Sequence, residues 1–468
     1  MTDTRPTPAS APASGSSPAL GAPDTGALLD LARILMERAR KAGADQCEAA
    51  VSESRSVEAG VREGALETVE RSETRDAGLR VIIGKRQAGV AFSDLSEAGL
   101  AMAVERAIAM AKAAPEDSYC GLVEPEHLAR SLPEIALYEA ATIGEAELEA
   151  AALAMEEAAL KVPGVSTTSS SGASIGAGGS AFVTSNGFER ARRGSRCGLG
   201  VAAIAKNGSG MERDYDTHSA RRLSSLKSPQ ELGTNAGERA VARLGGDKLS
   251  SGKMAVVFDK RVSTTFISSL LGAISGPAIA RGTSFLRESL GEKIFAAGVD
   301  IIEDPLRDWS FGARAADGEG VACRPQALVE DGVLTTFLMN AASARQLNMD
   351  LTGHAARRLG GPPGVSAANV HLQPGEASQD DLLAEAGEGL LVTEMFGPSL
   401  NANTGDWSVG VAGFRITGGK RAGPVSEVTV AGNLKDIFSR LIPGADLELD
   451  HAINAPSILV EGLSVGGR

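Results

Sequence analysis

Between residues 26 and 246 the hydrophobic period changes from about 3.6 residues to about two and back, and then does the same again. Each period fixes which side chains share a face, so a chain repeating this order is expected to build two helix–sheet–helix units. In the first, Leu28, Leu31, Leu35 and Met36 form a helical stripe behind a capping Asp24 or Thr25, with Arg38, Arg40 and Lys41 in the closing turns and Gly43 as the stop. Alternation follows from Glu48 to Phe92: Val57, Ala59 and Val61 on one side, Leu79 to Ile83, a Gly84-Lys85-Arg86 turn, then Gly89 to Phe92. This predicts an antiparallel meander. Ser93-Asp94 opens a second helix through Met102, Ile108 and Met110 to Pro115. After a loop to about Ile143 the order recurs, with a helix from Glu145 to Lys161, strands from Val165 to about Met211, and a helix from Pro229 to Leu244.

Gly245-Gly246 and Ser250-Ser251-Gly252 mark a boundary, after which Met254 to Phe258 reads as a short buried strand and Arg261 to about Ala280 as a helix. The rest consists of short β-like segments. The expected fold class is therefore α+β: an N-terminal α/β domain over 26–246, made of units 26–115 and 140–246, and a β-rich C-terminal domain over 253–468. Glycine, at 56 of 468 residues against a usual ~7%, suits sheets with many turns. Residues 1–25 hold five prolines among Ala, Ser, Thr and Gly and are expected to form a disordered tail.

The formal charge of −13 argues against nucleic acid, whose binding draws on Lys and Arg displacing counterions. Cys47, Cys120, Cys197 and Cys323 are scattered, which fits a reducing cytoplasm rather than a disulfide framework. No apolar run approaches the ~18 residues of a membrane span, so a soluble protein without a membrane partner is expected. The phosphate-loop and dinucleotide signatures are missing.

The five histidines, His127, His218, His354, His371 and His451, are too far apart for two to serve as ligands on one helix face. His218, in Asp214-Tyr215-Asp216-Thr217-His218, reads as part of a polar loop, with a metal or acid–base role as the alternative. His354 reads as a surface or capping residue. Asp317-Gly318-Glu319-Gly320 reads as a glycine-rich turn with solvated acids; on a strand the two carboxylates would face one way and could hold a cation or a peptide amine. Glu303-Asp304-Pro305 reads as a turn. Arg190, Arg192, Arg193 and Arg196 read as a solvated strand face, with partner contact as the alternative.

Several stretches of the C-terminal half closely resemble the TldD/PmbA family, specifically its PmbA (TldE) branch. They are Asp317-Gly318-Glu319-Gly320-Val321, Leu328 to Leu334, Thr352-Gly353-His354-Ala355, Gly389 to Glu394, Thr404-Gly405-Asp406-Trp407-Ser408 on to Phe414, and Pro424 to Asp436. The resemblance covers about residues 28 to 465. It implies an N-terminal α/β region and a β-rich C-terminal domain in a two-subunit peptidase that encloses a cavity. The TldD-type subunit holds zinc through a His-Glu-x-x-x-His helix and a distant cysteine. The family digests unfolded peptides and is associated with microcin maturation and antitoxin removal.

On that resemblance the zinc-helix positions here are Ser268, Ser269 and Ala273, which supply neither imidazole nor carboxylate, and Leu441 to Val460 contains no cysteine. The expectation is a chain with no catalytic or metal residues of its own and no cofactor, with zinc in a TldD-type partner of a heterodimer. The alternative is a homo-oligomeric peptide-binding adaptor or chaperone without hydrolysis. A third reading, a hydrolase using Ser268 and Ser269 with Asp317 or Glu319, lacks a base placed near the serines. Asp317, Glu319, Asp406 and Ser408 are the expected polar positions of a groove for unfolded peptide, from motif resemblance and strand-like alternation.

Overall fold

The two recurring units share one sheet. In the computed structural model, which describes residues 20–208 and 210–467, the first unit is α1 (Thr25–Lys41), β1 (Gln46–Arg62), β2 (Ala65–Ile83), β3 (Arg86–Phe92) and α2 (Glu97–Ala113). The second is α3 (Glu145–Leu160), β4 (Val165–Thr184), β5 (Glu189–Asn207), β6 (Gly210–Ala220) and α4 (Pro229–Ala242). β1 pairs antiparallel with β4 from Glu48 opposite Thr184 to Val61 opposite Ser171, which joins the meanders into six strands in the order β3-β2-β1-β4-β5-β6.

All four helices cover the same face. Cys47, Ala49 and Val51 at one end of β1 pack with α1 and α2, while Val57, Ala59 and Val61 at the other end pack with α3 and α4. Even-numbered residues of β1 and β4 therefore face the opposite side. Along the middle of that side stand Ser52, Ser54 and Ser56, opposite Ser180, Gly178 and Gly176. Such short side chains leave a shallow floor on which other elements can lie.

Asp24 caps α1 by accepting the Ala27 amide, and the α2 cap is Ser96 rather than Ser93-Asp94. Most of the stretch expected as a tail, 1–25, lies outside the described residues. From Leu20 onward the chain lies against the helix-covered side of the sheet; Pro23 is buried over Gly179, where a Cβ would come within 2.6 Å of it. The polar loop expected around His218 is instead strand β6. Its alternation is hidden because the inward positions are paired polar groups: Asp214 meets Arg243 and Arg261, and Asp216 meets Asn235 and Arg239.

In the C-terminal domain β7 (Gly252–Phe258) lies between strands Gly389–Leu400 and Ile458–Gly466. Strands Asp406–Thr417 and Lys420–Asn433 continue the sheet, and the last pairs back onto Ile458–Gly466, so five strands close on themselves and leave no open edge among them. α5 (Lys260–Ala273) packs on this closed sheet, with Phe266 4.8 Å from Phe258 and 5.5 Å from Trp407, ring centre to ring centre. The single helix expected to Ala280 breaks at Ile274-Ser275, and Pro277 starts a separate short helix, Gly276–Ala280. Among the described residues no helix is long and apolar enough to cross a membrane.

The C-terminal domain also reaches across the small-residue side of the central sheet. A Cβ at Gly78 would fall 1.5 Å from the Leu359 carbonyl oxygen, and one at Gly89 would fall 2.2 Å from the Gly361 nitrogen. Only glycine permits the 359–361 loop to lie there. Gly78→Ala is expected to lift this loop, at a cost of about 1–3 kcal/mol for overpacking, and to speed tryptic cleavage after the exposed Arg358. Unchanged cleavage kinetics and stability in the variant would remove this account.

Candidate functional site

A groove runs between the small-residue face of the central sheet and the C-terminal domain. It consists of two adjoining cavities of about 400 and 410 Å³ that share Ser180 and Arg192 in their walls. Ser54, Ser56, Gly176 and Gly178 floor the first beneath Phe311 and Ala313, while Ser52 and Phe182 floor the second beneath Arg314, Asp317 and Arg357. Arg190, Arg192 and Arg196 project from β5 into this space, alternating along the strand opposite Phe182, Ser180 and Gly176. The expected solvated face keeps Arg192, Arg193 and Arg196 exposed, with Arg190 half-buried, and it also borders the groove. Arg192 keeps more than a third of its surface open to water although protein surrounds it on most sides.

Arg221, just beyond β6, ties the two walls together. Its Nε donates to the Ser310 carbonyl at 2.9 Å, Nη2 to that of Phe311 at 3.2 Å and Nη1 to that of Ser195 at 3.3 Å. Burial, followed by the charges of Arg192 and Arg196, pushes its pKa down to about 10. The linker between the units joins in as well, since Ala136 accepts an N–H from Trp309 at 2.8 Å and donates its own to Asp308 at 2.7 Å.

At the other end of the groove the domains meet through buried charge. Glu48 on β1 is 1% exposed and accepts from Arg80 Nη1 at 2.8 Å. Arg357 of the C-terminal domain brings Nη2 to 2.6 Å of the other carboxylate oxygen, off the line of a good hydrogen bond, and so acts mainly by charge. Burial opposes ionisation of Glu48, but Arg357 and Arg80 outweigh it and hold the carboxyl below its ordinary value.

The acids of the Asp317-Gly318-Glu319-Gly320 turn are buried rather than solvated. Asp317 accepts the amides of Glu319, Val321 and Ala355 at 2.9–3.0 Å, so its carboxylate is occupied in holding the turn. Glu319 accepts the Ala341 amide at 2.7 Å; burial, then the Asp317 charge, raises its pKa to about 7. Gly320 adopts φ +90° and lies where a Cβ would strike the Phe188 ring, which seats the turn on the central sheet.

Two further sequence readings are corrected. His354 is 1% exposed, with Nε2 2.7 Å from Glu303 and Nδ1 2.7 Å from the Thr352 hydroxyl, so neither His354 nor Glu303 is a surface group. Burial opposes the Glu303 charge, but the His354 contact, the Ala368 amide and Gln326 bring its pKa below the ordinary value. His218 is likewise buried on β6, with Nδ1 accepting the Lys227 amide at 3.3 Å. Both histidines tie segments of chain together.

The expected zinc-helix positions do not converge on one point. On α5 Ser268 is exposed, Ser269 donates to the Thr265 carbonyl at 2.8 Å, and Ala273 is buried. Among the described residues there is no group of three or more His, Cys, Asp or Glu side chains arranged to hold a metal ion. These residues do not fit zinc. Asp317 borders the groove, and Glu319 lies buried two residues on. Asp406 and Ser408 are on the closed C-terminal sheet instead, where Asp406 is exposed and accepts from Thr404 and Asn433. The signal that sequence reading undervalued is the period-two arginine run on β5, set beside strands of serine and glycine.

Comparison with known proteins matches three successive stretches to one family. Residues 47–111 match the PmbA/TldA metallopeptidase domain 1, residues 138–244 its central domain and residues 251–467 its C-terminal domain. The metalloprotease PmbA of Escherichia coli is 33% identical over 427 residues, 91% of this chain and 93% of that protein. A PmbA homologue of Haemophilus influenzae is 33% identical over 92% of this chain and 94% of its own length. Among solved structures, a Bacteroides thetaiotaomicron protein described as a candidate modulator of DNA gyrase superposes with a TM-score of 0.87 at 26% identity, covering 94% of this chain and 98% of its own. TldE of Thermococcus kodakarensis superposes at 0.78 with 21% identity, over 93% of this chain and all of its own; at that identity the likeness is one of fold.

Proposed function

This chain belongs to the PmbA/TldD metallopeptidase family, and from that premise we propose that it is the non-zinc subunit of a TldD/TldE-type complex that degrades or processes unfolded peptides. The observation that carries the proposal is α5, where the positions assigned to zinc by resemblance hold Ser268, Ser269 and Ala273, none with a nitrogen or carboxylate to offer a metal. No step of hydrolysis is assigned to this chain. Its part is to bind and hold an extended peptide while a TldD-type partner supplies the zinc, whose chemistry would be polarising the peptide carbonyl and activating water.

The inter-domain groove supports the binding half of this proposal. Its floor is serine and glycine, so a peptide main chain can approach the sheet closely, and its length follows β5 rather than forming a compact pocket. Of the four polar positions expected to border a peptide, Asp317 stands at this groove and is kept in the proposal. Glu319, buried behind it on the Ala341 amide, and Asp406 and Ser408, on the closed C-terminal sheet, are not.

The test is zinc content and turnover of an unfolded peptide, for the chain alone and mixed with a TldD-type protein. We expect stoichiometric zinc and chelator-sensitive turnover only in the mixture. Chelator-sensitive turnover by the chain alone would overturn the proposal, and peptide binding without turnover in either sample would favour the adaptor reading.

A further inference from the structure

The groove carries more positive charge than its own structure uses. Arg190, Arg192 and Arg196 enter it from one strand, Arg221 stands beside them and Arg314 faces them from the C-terminal domain. Among the described residues Arg190, Arg192, Arg196 and Arg221 make no ion pair; Glu134 acts on Arg190 only through its charge. Arg192 and Arg221 have other arginines as neighbours in charge. Arg190 and Arg314 disfavour the charged form of Arg192, and Arg192 and Arg196 do the same to Arg221. Arg314 donates through its Nη atoms to Ser366, while its buried Nε has no partner among the described residues. In a chain of net charge −13 this is a local reversal of sign.

We infer that this groove is a binding site for an extended acidic peptide segment, whose carboxylates pair with Arg190, Arg192 and Arg196. The inference rests on the peptide-handling proposal and narrows it to a substrate class. Successive same-face residues of a strand are about 6.5–7 Å apart, and an extended peptide repeats its own same-face side chains at that spacing. Aspartate or glutamate at alternate positions can therefore meet Arg190 and Arg192 in register. Between Arg192 and Arg196 the same-face position is Gly194, opposite Gly178, and the Arg221 guanidinium fills the space a side chain would take there, with Nη1 2.6 Å from where a Cβ would stand. Guanidinium groups suit this task because their planar fork pairs with both carboxylate oxygens.

A single-stranded nucleic acid is the other extended anion, and the groove suits it less. Sequence-tolerant binding of that kind uses open aromatic faces for base stacking. Here the Phe311 ring already lies against Arg196 at 5.6 Å and Arg221 at 5.3 Å, the Phe182 ring against Arg357 at 4.3 Å, and the Tyr138 ring against Arg193 at 4.7 Å. These contacts hold guanidinium planes instead of bases. The overall negative charge also repels a long polyanion more than a short peptide.

The experiment measures fluorescence anisotropy of the full chain with three labelled ten-residue peptides, alternating Glu-Ser, Gln-Ser and Lys-Ser, in 0.1 M and 0.5 M salt. We expect the Glu-Ser peptide to bind at least tenfold more tightly than the Gln-Ser peptide and to lose most of that advantage in high salt. Arg190→Gln with Arg192→Gln is expected to bring the Glu-Ser and Gln-Ser peptides to equal affinity; Arg196→Gln alone is expected to reduce the advantage severalfold. Equal binding of Glu-Ser and Gln-Ser peptides by the wild type overturns the charge inference and leaves the peptide proposal standing. Failure of all three peptides to bind overturns both. An oligothymidylate of equal charge that binds more tightly than the Glu-Ser peptide, and is lost in the same variants, transfers the site to nucleic acid and overturns the peptide assignment. The wild-type comparisons do not depend on how well any variant folds.

Discussion

Glu48→Leu is expected to destabilise the protein by about 3–5 kcal/mol, because it removes the negative member of a buried ionic group and leaves two guanidiniums facing each other. Arg80 is 4% exposed and would keep only its bonds to Gln87, at 2.9 and 2.6 Å; Arg357 would keep the Gly318 carbonyl and the face of Phe182. One of these arginines belongs to β2 and the other to the C-terminal domain, so their repulsion acts across the joint that forms the groove. Removing all three charges together is a different change. In Glu48→Leu with Arg80→Met and Arg357→Met, no buried charge is left without a partner, and most of the lost stability is expected to return. Urea unfolding midpoints of wild type, single and triple variants check this. A single variant within about 1 kcal/mol of wild type would mean that water reaches Arg80 and Arg357 well enough to replace the carboxylate.

The architecture was legible wherever one face of an element is apolar and the other is not. The stripe Leu28, Leu31, Leu35 gave α1, and the alternation through Val57, Ala59 and Val61 gave β1, because the core enforces those periods. Two kinds of feature escaped. One is the joining of the meanders into a single sheet: β1 meets β4 about 120 positions later in the chain, and residue spacing says nothing of which edge finds which. The other is polar burial. His218, His354, Glu303 and Glu319 read as surface groups by type, yet each is buried beside a partner brought in from elsewhere: His218 beside Lys227, His354 and Glu303 beside each other, and Glu319 beside Ala341. Sequence supplies the need for a partner but not its location.

The same limit applies to the candidate site. The degenerate zinc-helix positions Ser268, Ser269 and Ala273 were readable because one helix carries them all. The arginine groove was not, since the value of Arg190, Arg192 and Arg196 depends on a second wall that comes from residues 311–318 and 355–359. Without that wall they are a solvated strand face; with it they are concentrated positive charge in a cleft of reduced dielectric.

Glu319→Gln is expected to make the protein more stable at pH 8 and to change it little near pH 4.5. In the folded protein the Glu319 pKa is raised from 4.5 to about 7, first by burial and then by Asp317, with Glu48 adding to the rise and the Ala341 amide and Arg80 opposing it. The sign follows from proton binding. Between about pH 4.5 and 7 the folded state keeps a proton that the unfolded chain gives up, so folding is favoured at the acid end and this contribution is lost as pH rises through 7. Glutamine cannot ionise, keeps an oxygen for the Ala341 amide and resembles the protonated acid in shape, with two N–H donors in place of its single O–H. The variant's advantage should therefore grow from near zero at pH 4.5 to about 3 kcal/mol at pH 8, at 1.36 kcal/mol per pKa unit, taken as an upper figure because Asp317 and Glu48 titrate in the same cluster. Unfolding midpoints at half-unit steps from pH 4.5 to 8.5 give both curves. Parallel curves would show that Glu319 ionises in the folded protein as it does in water, and that the turn carrying it opens to solvent; a widening gap would place a neutral acid in the turn that seats the C-terminal domain on the central sheet, two residues from the groove wall at Asp317.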